Sequence, residues 1–398
     1  MKKLMILGAG ILQLPAIEKA RDMGLDVIVL DRDPDAVGFR VSGIKKELIS
    51  TIDTPAILEA ARRYHIDGIM TLASDMPMQS VAAVCHDMGL TGISEDTALK
   101  ATNKAYMRDA LKQHNVPIPL YFRVKGREEY LKAVQTIIDK GYKCIIKPAD
   151  NSGSRGVCLL ETGSDLNKVY DYTLQYSRGG EIVAEEFMEG PEVSVETLAE
   201  NGLVHVLQIT DKLTTGAPYF VEMGHNQPSC LDDDVKRKIA DVAIAANKAI
   251  GIENGPSHTE IKVTKEGPKI VELGARLGGD CITTHLVPLS TGIDMVRACI
   301  HIALGEKAAI QNSMSRGAAI RYFQAPNGVI KKISGLEEAA RITGVVQVSV
   351  VHGPGEVAGE IKSSNDRTGF IIAEADTPQE AVQLCEEAIT KIRIECEK

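Results

Sequence analysis

A glycine-rich segment between two apolar runs has the composition of a phosphate-binding loop. The segment NSGSRGV follows CIIKPAD and precedes VCLLE, and its candidate contacts are Ser152, Gly153, Ser154, Arg155 and Gly156. Glycine and small hydroxyl residues let backbone N–H groups approach phosphate oxygens without interference from a Cβ. The segment lacks the GK[ST] of a Walker loop, and a strand follows it. It therefore predicts a β-hairpin that closes over phosphates, with an ordinary hairpin turn as the alternative.

A lysine in the preceding apolar run supports the phosphate interpretation. Lys147 lies in CIIKP, where its neighbours predict a buried strand. A buried lysine needs an anionic partner, and a nucleotide phosphate is one.

Two glutamates on either side of a short turn form a candidate metal site. Glu260 lies in HTEIKVT and Glu272 in KIVELGAR, and the polar turn KEG between them predicts adjacent antiparallel strands. Two hard oxygen ligands on rigid strands suit Mg²⁺, although both carboxylates could instead face solvent. Arg276 favours a site, because it follows Glu272 by four residues and precedes Gly278 and Gly279, whose backbone can approach a ligand closely.

A third candidate is the acidic segment EEFMEGPEVSVE. Its glutamates surround a short apolar hinge that could pair with the edge of a purine base, while a carboxylate holds the ribose. The alternative is a solvated strand end. These glutamates are Glu185, Glu186, Glu189 and Glu192.

The glycines after the first apolar run permit a different interpretation. Gly8 and Gly10 lie in GAGILQLP, but Gln13 occupies the place of the third glycine of a dinucleotide fingerprint. Asp31 lies about twenty residues further on, where an acidic residue could bind a ribose. A tight strand-to-helix turn or a small substrate site fits better than NAD, but both interpretations stay open.

The elements that must position these residues alternate in type along the first hundred residues. Apolar runs such as LMILGAG, DVIVLDRD and GIMTLAS alternate with amphipathic stretches such as TPAILEAARRYH. This pattern predicts a parallel sheet covered by helices on both faces.

The rest of the chain predicts a mixed α+β organisation. A long helix is expected from about Ser94, then a small α+β module to about residue 185, then antiparallel strands between 193 and 225. A helix over Asp233–Ile250 precedes the two glutamate strands. The tail, from about 306, predicts strands at AAIRYFQ, VVQVSVV and RTGFIIAEA and a closing helix at PQEAVQLCEEAITKIRI.

Composition limits the class of protein. The chain has 398 residues, enough for two or three domains, and a net charge of −9, which argues against nucleic-acid or membrane partners. Its eight cysteines form no CxxC and no zinc spacing, and no signal sequence or membrane span is recognisable. A cytoplasmic protein with reduced thiols is expected.

In their order along the chain, these elements resemble the ATP-grasp superfamily, and within it the carboxylate–amine ligases related to biotin carboxylase and carbamoyl phosphate synthetase. The resemblance implies a Rossmann-like domain at 1–95, an ATP-grasp domain at 96–305 with a lid at about 115–185, and a small C-terminal α/β domain at 306–398. It implies an enzyme that uses ATP and Mg²⁺ (or Mn²⁺) to activate a carboxylate as an acyl phosphate for attack by an amine, with release of ADP and phosphate. A homodimer is a further possibility.

The resemblance also assigns roles to residues. Lys104, Lys147 and the loop from Ser152 to Gly156 would contact the nucleotide phosphates. Glu260 and Glu272 would bind the metal, and Arg276 and Lys212 would be catalytic. The segment Glu185, Glu186, Phe187 and Met188 would line the adenine and Glu192 the ribose; the substrate side would comprise His225, Gly278, Gly279 and Asp280.

One position departs from the family pattern. Many relatives have Glu-x-Asn at the metal site, whereas this chain has Gly274 two residues after Glu272. His258 could support the metal site or simply pack in the core. Two other functions stay open: an NAD(P)-dependent oxidoreductase, and a non-catalytic ATP-binding protein of the same fold.

Overall fold

The first seven elements form a parallel sheet with helices around it. The computed structural model describes residues 1–153 and 155–397. The sheet has the strand order β3-β2-β1-β4, and all its pairs are parallel, as predicted. The short strand β3 was not predicted, because its sequence KKEL is polar. The elements are β1 Lys3–Leu7, α1 Leu14–Asp22, β2 Asp26–Asp31, β3 Lys45–Leu48, α2 Thr54–Tyr64, β4 Gly68–Met70 and α3 Met78–Met88.

Two helices connect this sheet to the rest of the chain, where one long helix was predicted. They are α4 Glu95–Thr102 and α5 Lys104–Gln113. The break lies at Asn103, whose side chain accepts hydrogen bonds from the backbone N–H groups of Ala105 and Tyr106. Such a bond caps a new helix, so α5 begins at Lys104.

The next segment folds into a small antiparallel sheet with its own core. Its strand order is β5-β8-β6-β7, and helices α6 and α7 pack against it. The elements are β5 Tyr121–Val124, α6 Arg127–Asp139, β6 Cys144–Pro148, β7 Cys158–Leu159, α7 Leu166–Gln175 and β8 Ile182–Glu186.

The central element is an eight-stranded antiparallel sheet with the order β13-β12-β9-β10-β11-β14-β18-β16. Helix α8 packs against the sheet and shares a core with the N-terminal sheet. The first part of this region comprises β9 Glu192–Glu200, β10 Leu203–Thr214, β11 Glu222–Gln227, α8 Asp233–Ile250, β12 Gly255–Thr264, β13 Gly267–Gly274, a π-helix at Ile282–Leu286, α9 Val287–Thr291 and α10 Met295–Ala303.

The C-terminal residues contribute three strands to the same central sheet and form a separate three-stranded sheet, β17-β15-β19. The predicted closing helix ends at Lys391, and RIECE after it is a strand. The elements are β14 Gly317–Phe323, β15 Gly328–Ser334, α11 Leu336–Ala340, β16 Val345–Val350, β17 Val357–Ala358, β18 Gly369–Ala375, α12 Pro378–Lys391 and β19 Arg393–Glu397.

The mixed α/β multidomain fold class is confirmed. The domain boundaries stay predictions. Within the described ranges, no single helix has both the length and the apolar character needed to cross a membrane; one bent pair, Ile282–Thr291 with Met295–Ala303, meets those criteria by length and composition alone.

Candidate active site

A cavity of about 300 Å³ lies between the small sheet and the central sheet. On the side of the small sheet its wall includes Lys147 and the turn residues Ser152, Gly153 and Arg155. On the other side, strands β9 to β13 present a set of carboxylates and lysines. The charged residues of that face are Glu192, Lys212, Glu222, Glu260, Lys262 and Glu272.

Behind the cavity wall, Lys147 belongs to a buried charge cluster. Its Nζ donates to Glu185 Oε2 at 2.9 Å, and Arg108 Nε donates to the other oxygen, Oε1, at 2.5 Å. Glu185 and Arg108 are each 1% exposed. Burial alone would raise the pKa of Glu185, but the two cations outweigh it and lower that pKa to about 2. The cluster therefore holds a lysine at the cavity wall.

The two candidate metal ligands lie side by side. Glu260 on β12 is the register partner of Glu272 on β13, so both side chains lie on one face of the sheet. Lys104 Nζ donates to Glu272 Oε1 at 2.8 Å and to the carbonyl of Asn151 at 2.6 Å. The helix start at Lys104 thus connects the metal side of the cavity to the phosphate loop.

Lys212 lies at the centre of a second cluster. Its Nζ is 2.7 Å from Glu192, 3.0 Å from Glu260 and 3.5 Å from Glu222, and its side chain is 3% exposed. Burial lowers the pKa of this ammonium, but the carboxylates led by Glu260 more than reverse the effect. Burial raises the pKa of Glu260, but Lys212 and His258 outweigh burial and hold that pKa well below its usual value. Glu260 is therefore ionised at neutral pH.

A histidine and a further glutamate extend this cluster along the same face of the sheet. His258 Nδ1 lies 2.6 Å from Glu196 Oε1, and His258 Nε2 lies 3.5 Å from Glu260 Oε1. Burial lowers the pKa of His258, but the Glu196 carboxylate outweighs burial and raises it to about 9.

Arg276 forms an ion pair with the N-terminal sheet. Its Nε donates to Asp75 Oδ1 at 2.9 Å and its Nη2 to Asp75 Oδ2 at 3.3 Å. A backbone hydrogen bond also joins the loop after β4 to the loop of Arg276: the N–H of Ala73 donates to the carbonyl of Leu277 at 3.2 Å. A Cβ at Gly274 would lie 2.7 Å from Asp75 Oδ1, so the Asn of related proteins would collide with this carboxylate as it stands.

A second cavity, of about 260 Å³, adjoins the first. It shares Asn151, Ser152 and Glu272 with the first cavity, and its other charged lining residues are Asp75, Asp150 and Arg178. The Arg178 guanidinium contacts Met76, with Nη1 2.6 Å from Sδ, and within the described ranges it makes no ion pair.

The chemistry of Glu260 and Glu272 fits a divalent cation only in part. Their carboxylates are hard oxygen ligands that face one cavity. Among the residues that the structure describes, no three His, Cys, Asp or Glu side chains group into a metal-binding set. Phosphate oxygens and water would have to complete the coordination, which is how Mg²⁺ is usually bound beside a nucleotide.

In the first glycine turn, by contrast, contacts within the protein use the residues that a dinucleotide would need. Gln13 folds over it, so a Cβ at Gly8 would meet the Gln13 side chain at 3.0 Å, and its amide donates to the carbonyl of Leu72 at 2.6 Å. Asp31 Oδ2 accepts from the N–H of Ala9 at 2.7 Å. The carboxylate that would bind a ribose is thus used within the turn itself.

Two protein-family descriptions match separate parts of the chain: an ATP-grasp domain at residues 140–284 and an L-amino acid ligase C-terminal domain 2 at residues 321–397. The chain contains an ATP-grasp domain, the defining domain of the ATP-grasp superfamily. The predicted class of enzyme, an ATP-dependent and ADP-forming carboxylate–amine ligase, is confirmed at the level of this superfamily, and the oxidoreductase and non-catalytic alternatives have no support.

Individual relatives agree with the superfamily. An alanine–anticapsin ligase of Bacillus subtilis is 30% identical over 276 residues, which cover 64% of this chain and 57% of the relative. The solved L-amino acid ligase from Bacillus licheniformis superposes with a TM-score of 0.85 at 24% identity, covering 100% of this chain and 99% of the other. A biotin carboxylase domain from Hydrogenobacter thermophilus, solved with MgADP, gives a TM-score of 0.78 at 16% identity, with 99% and 90% covered.

Most of the predicted site residues of this ATP-grasp chain lie around the first cavity. They are Lys104, Lys147, Ser152, Gly153, Arg155, Glu186, Phe187, Met188, Glu192, Lys212, Glu260 and Glu272. Ser154 lies outside the described residues.

The other predicted residues lie away from the lining of the cavity. Glu185 is buried behind Lys147, and Gly156 packs against Tyr176 in the lid. Arg276 pairs with Asp75, while Gly278 and Gly279 follow it in the same loop. Asp280 accepts two hydrogen bonds from Arg367, both at 2.8 Å, and lies 3.4 Å from buried His225.

Sequence reasoning missed four charged residues of the ATP-grasp site. Lys262, whose Nζ is 3.0 Å from Glu192 Oε2, lies two residues after Glu260, and the two-residue period of a strand could have identified it. Asp75 follows a parallel strand at its carboxyl end, which is also a recognisable position. Glu222 and Arg178 carry no comparable signal, because both lie beside turns.

Proposed function

We propose that this protein is an L-amino acid ligase, which uses ATP to join an amino-acid carboxylate to the amine of a second amino acid. The observation that carries the proposal is the cavity in which a lysine-bearing phosphate loop faces Glu260 and Glu272. The C-terminal match to L-amino acid ligases at 321–397 and the whole-length likeness to the Bacillus licheniformis enzyme support this substrate class.

The nucleotide is proposed to lie along the small sheet. Ile145, Met188 and Val271 offer apolar contacts to adenine, and Phe187 lies beside Phe220 with ring centroids 6.0 Å apart. Glu192 would accept hydrogen bonds from the ribose hydroxyls. Lys104, Lys147 and the loop from Ser152 would hold the phosphates through charge-assisted hydrogen bonds.

Glu260 and Glu272 are proposed to hold Mg²⁺, which would neutralise phosphate charge when bound. With the metal bound, Lys104 and Lys212 would turn from these glutamates toward phosphate oxygens. The biotin carboxylase domain crystallised with MgADP supports the choice of metal.

The chemistry proceeds in two steps. A carboxylate oxygen of the first substrate attacks the γ-phosphorus of ATP, and the bond to the bridging oxygen breaks to release ADP. The nitrogen of the second substrate then attacks the acyl carbon, phosphate leaves with the bonding electron pair, and the nitrogen loses a proton. Arg276 would stabilise the negative charge on the transferring phosphoryl group, after giving up Asp75. Positioning, rather than a protein nucleophile, supplies the catalysis.

The second cavity is proposed to take the amine substrate. It adjoins the first at Glu272, and it presents both acidic Asp75 and the guanidinium of Arg178. An α-amino acid has a cationic amine and an anionic carboxylate, and these charges are complementary to that pair. The position of the cavity would bring the attacking nitrogen to the acyl phosphate.

An amino-acid pair screen tests the proposal. Pairs of amino acids are incubated with ATP and Mg²⁺, and phosphate release and dipeptide mass are measured. Phosphate release should require both amino acids, and Glu272→Gln should reduce it by at least about a hundredfold. Glu266→Gln, which alters an exposed glutamate on the nearby turn, is the control and should retain activity.

The proposal fails if ADP forms at the same rate with and without amino acids across a broad panel. The homodimer and the cytoplasmic location also stay predictions, and sedimentation of the purified protein would test the first.

A further inference from the structure

Glu196 is a buried carboxylate for which the proposed reaction has no use. It is 0% exposed, its Oε1 lies 2.6 Å from His258 Nδ1, and its Oε2 has no hydrogen-bond partner among the described residues. A buried charge is costly unless a partner compensates it. Among the described residues, His258 is the contact that compensates it, so the two side chains form one unit.

This Glu196–His258 pair makes its closest approach to the proposed metal ligand at one carboxylate oxygen, Glu260 Oε1. His258 Nε2 lies 3.5 Å from Glu260 Oε1, and Lys212 Nζ lies 3.0 Å from that same oxygen. Two nitrogen atoms, His258 Nε2 and Lys212 Nζ, therefore converge on Oε1. Glu260 itself lines the cavity, and neither of these closest contacts is to its other oxygen, Oε2.

The loop that carries Arg276 rests on the same pair. A Cβ at Gly278 would lie 2.7 Å from His258 Nδ1 and 3.1 Å from Glu196 Oε2. Only a residue without a side chain can lie so close to both groups. The pair therefore fixes the backbone of the loop as well as the orientation of Glu260.

We propose that Glu196 and His258 are positioning residues, which hold Glu260 Oε1 from the adjacent position on the same sheet face so that Oε2 is left to bind the divalent cation. Second-sphere partners of this kind fix the rotamer of a ligand before the metal arrives. The inference rests on the proposed role of Glu260 as a metal ligand, and the experiment separates the two.

The test measures metal affinity rather than turnover. Mn²⁺ is titrated into the full-length protein with a non-hydrolysable ATP analogue, and free Mn²⁺ is counted by electron paramagnetic resonance. Glu196→Gln and His258→Asn should each raise the Kd for Mn²⁺ by about 10- to 100-fold. Gly278→Ala should also raise it, although it removes neither charge, because its methyl group displaces His258.

A second histidine–glutamate pair provides the matched control. His301 Nδ1 lies 2.6 Å from Glu306 Oε2 at the end of α10, and neither residue lines the first cavity. His301→Asn should leave the Kd for Mn²⁺ unchanged. Melting temperatures, measured on every variant, show whether a change in affinity merely follows a loss of stability.

The outcomes are distinct. Unchanged Mn²⁺ affinity in Glu196→Gln and His258→Asn, with tight binding by the wild type, overturns this inference and leaves the ligase proposal intact. Absence of Mn²⁺ binding in the wild type overturns both the metal role of Glu260 and the inference. Weakened affinity that is equal in His301→Asn also overturns the inference, because a general loss of stability then explains it.

Discussion

The ion cluster of Arg108, Glu185 and Lys147 illustrates how a single buried carboxylate can serve a catalytic cavity. Glu185 binds two cations at once, and its pKa is lowered to about 2 because they outweigh the cost of burial. Removing one partner from such a cluster leaves an uncompensated buried charge. Glu185 thereby stabilises the fold and fixes the lysine at the cavity wall.

We expect Glu185→Gln to lower the free energy of unfolding by about 3–5 kcal/mol at pH 7. The folded-state pKa of Glu185 is below its ordinary value of 4.5, so its contribution is complete above pH 4.5 and is lost as the pH falls through about 2. Urea unfolding at pH 7, 4 and 3 should therefore show a difference between wild type and variant that narrows toward acid.

Glu189→Gln is the control for that series. Glu189 pairs with Lys143 on the surface, where both side chains are more than half exposed. Its replacement should not lower the free energy of unfolding appreciably, and the difference from wild type should not depend on pH. An equal and pH-independent decrease in the free energy of unfolding of both variants would contradict the role assigned to Glu185.

Lys147 also shows what sequence patterns reveal about single residues. Because Lys147 lies in an apolar run, the sequence predicted that it needs an anionic partner. A nucleotide phosphate was proposed as that partner. The structure adds a second anion, Glu185, which lies on the neighbouring strand β8. The sequence predicted Glu185 only as a residue that lines adenine, because pairing between distant strands is not visible in a local pattern.

At the scale of elements, the hairpin between β6 and β7 depends on glycine at one position. Gly156 has φ +75°, and a Cβ there would lie 2.7 Å from Tyr176 Cβ and 2.8 Å from Pro148 Cγ. The hairpin thus packs its backbone directly on α7 and its following turn. Its predicted role in closing over phosphates requires this close packing, since the loop must keep a fixed distance from the cavity.

Gly156→Ala should raise the KM for ATP several-fold and lower the melting temperature. A left-handed backbone costs a non-glycine residue about 1–2 kcal/mol, and the collision adds to that cost. Gly163→Ala is the matched control, because Gly163 has φ +89° in the same small-sheet region but no atom within 4 Å of its Cβ position. If both variants change KM equally, the contact with Tyr176 has no role in ATP binding.

Element boundaries followed from the sequence where strong local signals were present. The helix Asp233–Ile250 and the strands around Glu260 and Glu272 were predicted with nearly their observed bounds. The break at Asn103 was missed, although asparagine is a strong N-cap, because the helical pattern on both sides of it is continuous. That break places Lys104 at a helix start, beside the phosphate loop.

At the scale of the whole molecule, the C-terminal residues are continuous with the site. Strand β14 pairs with β11 in the central sheet, and Arg367 reaches from the C-terminal region to Asp280 in the loop after Arg276. Arg367 also lies 3.7 Å from the Tyr322 ring centroid and donates to the carbonyl of Glu222 at 3.1 Å. Composition and periodicity predicted a small unit here. They did not predict the shared sheet, because neither reveals which strands of distant segments will pair.

From these contacts of Arg367 we expect that the C-terminal segment influences catalysis. Arg367→Met should lower kcat and reduce the free energy of unfolding by about 3 kcal/mol, since Asp280 is left partly buried without its cation. Asp280 and Cys281 both have positive φ, at +50° and +60°, so this pair holds a strained backbone next to Gly278 and Gly279. Arg341→Ala, which breaks an exposed pair with Glu337, should change neither quantity appreciably.

A double-mutant cycle decides whether the ion pair itself is responsible. If it is, the loss in Arg367→Met combined with Asp280→Asn should be smaller than the sum of the two single losses, because the second change removes the unpaired charge. Strict additivity in both unfolding free energy and kcat would mean that Arg367 acts through Tyr322 and Glu222 instead. In either case a kcat effect ties residues beyond 306 to the reaction, since Arg367 lies in that segment and Asp280 lies four residues after Arg276.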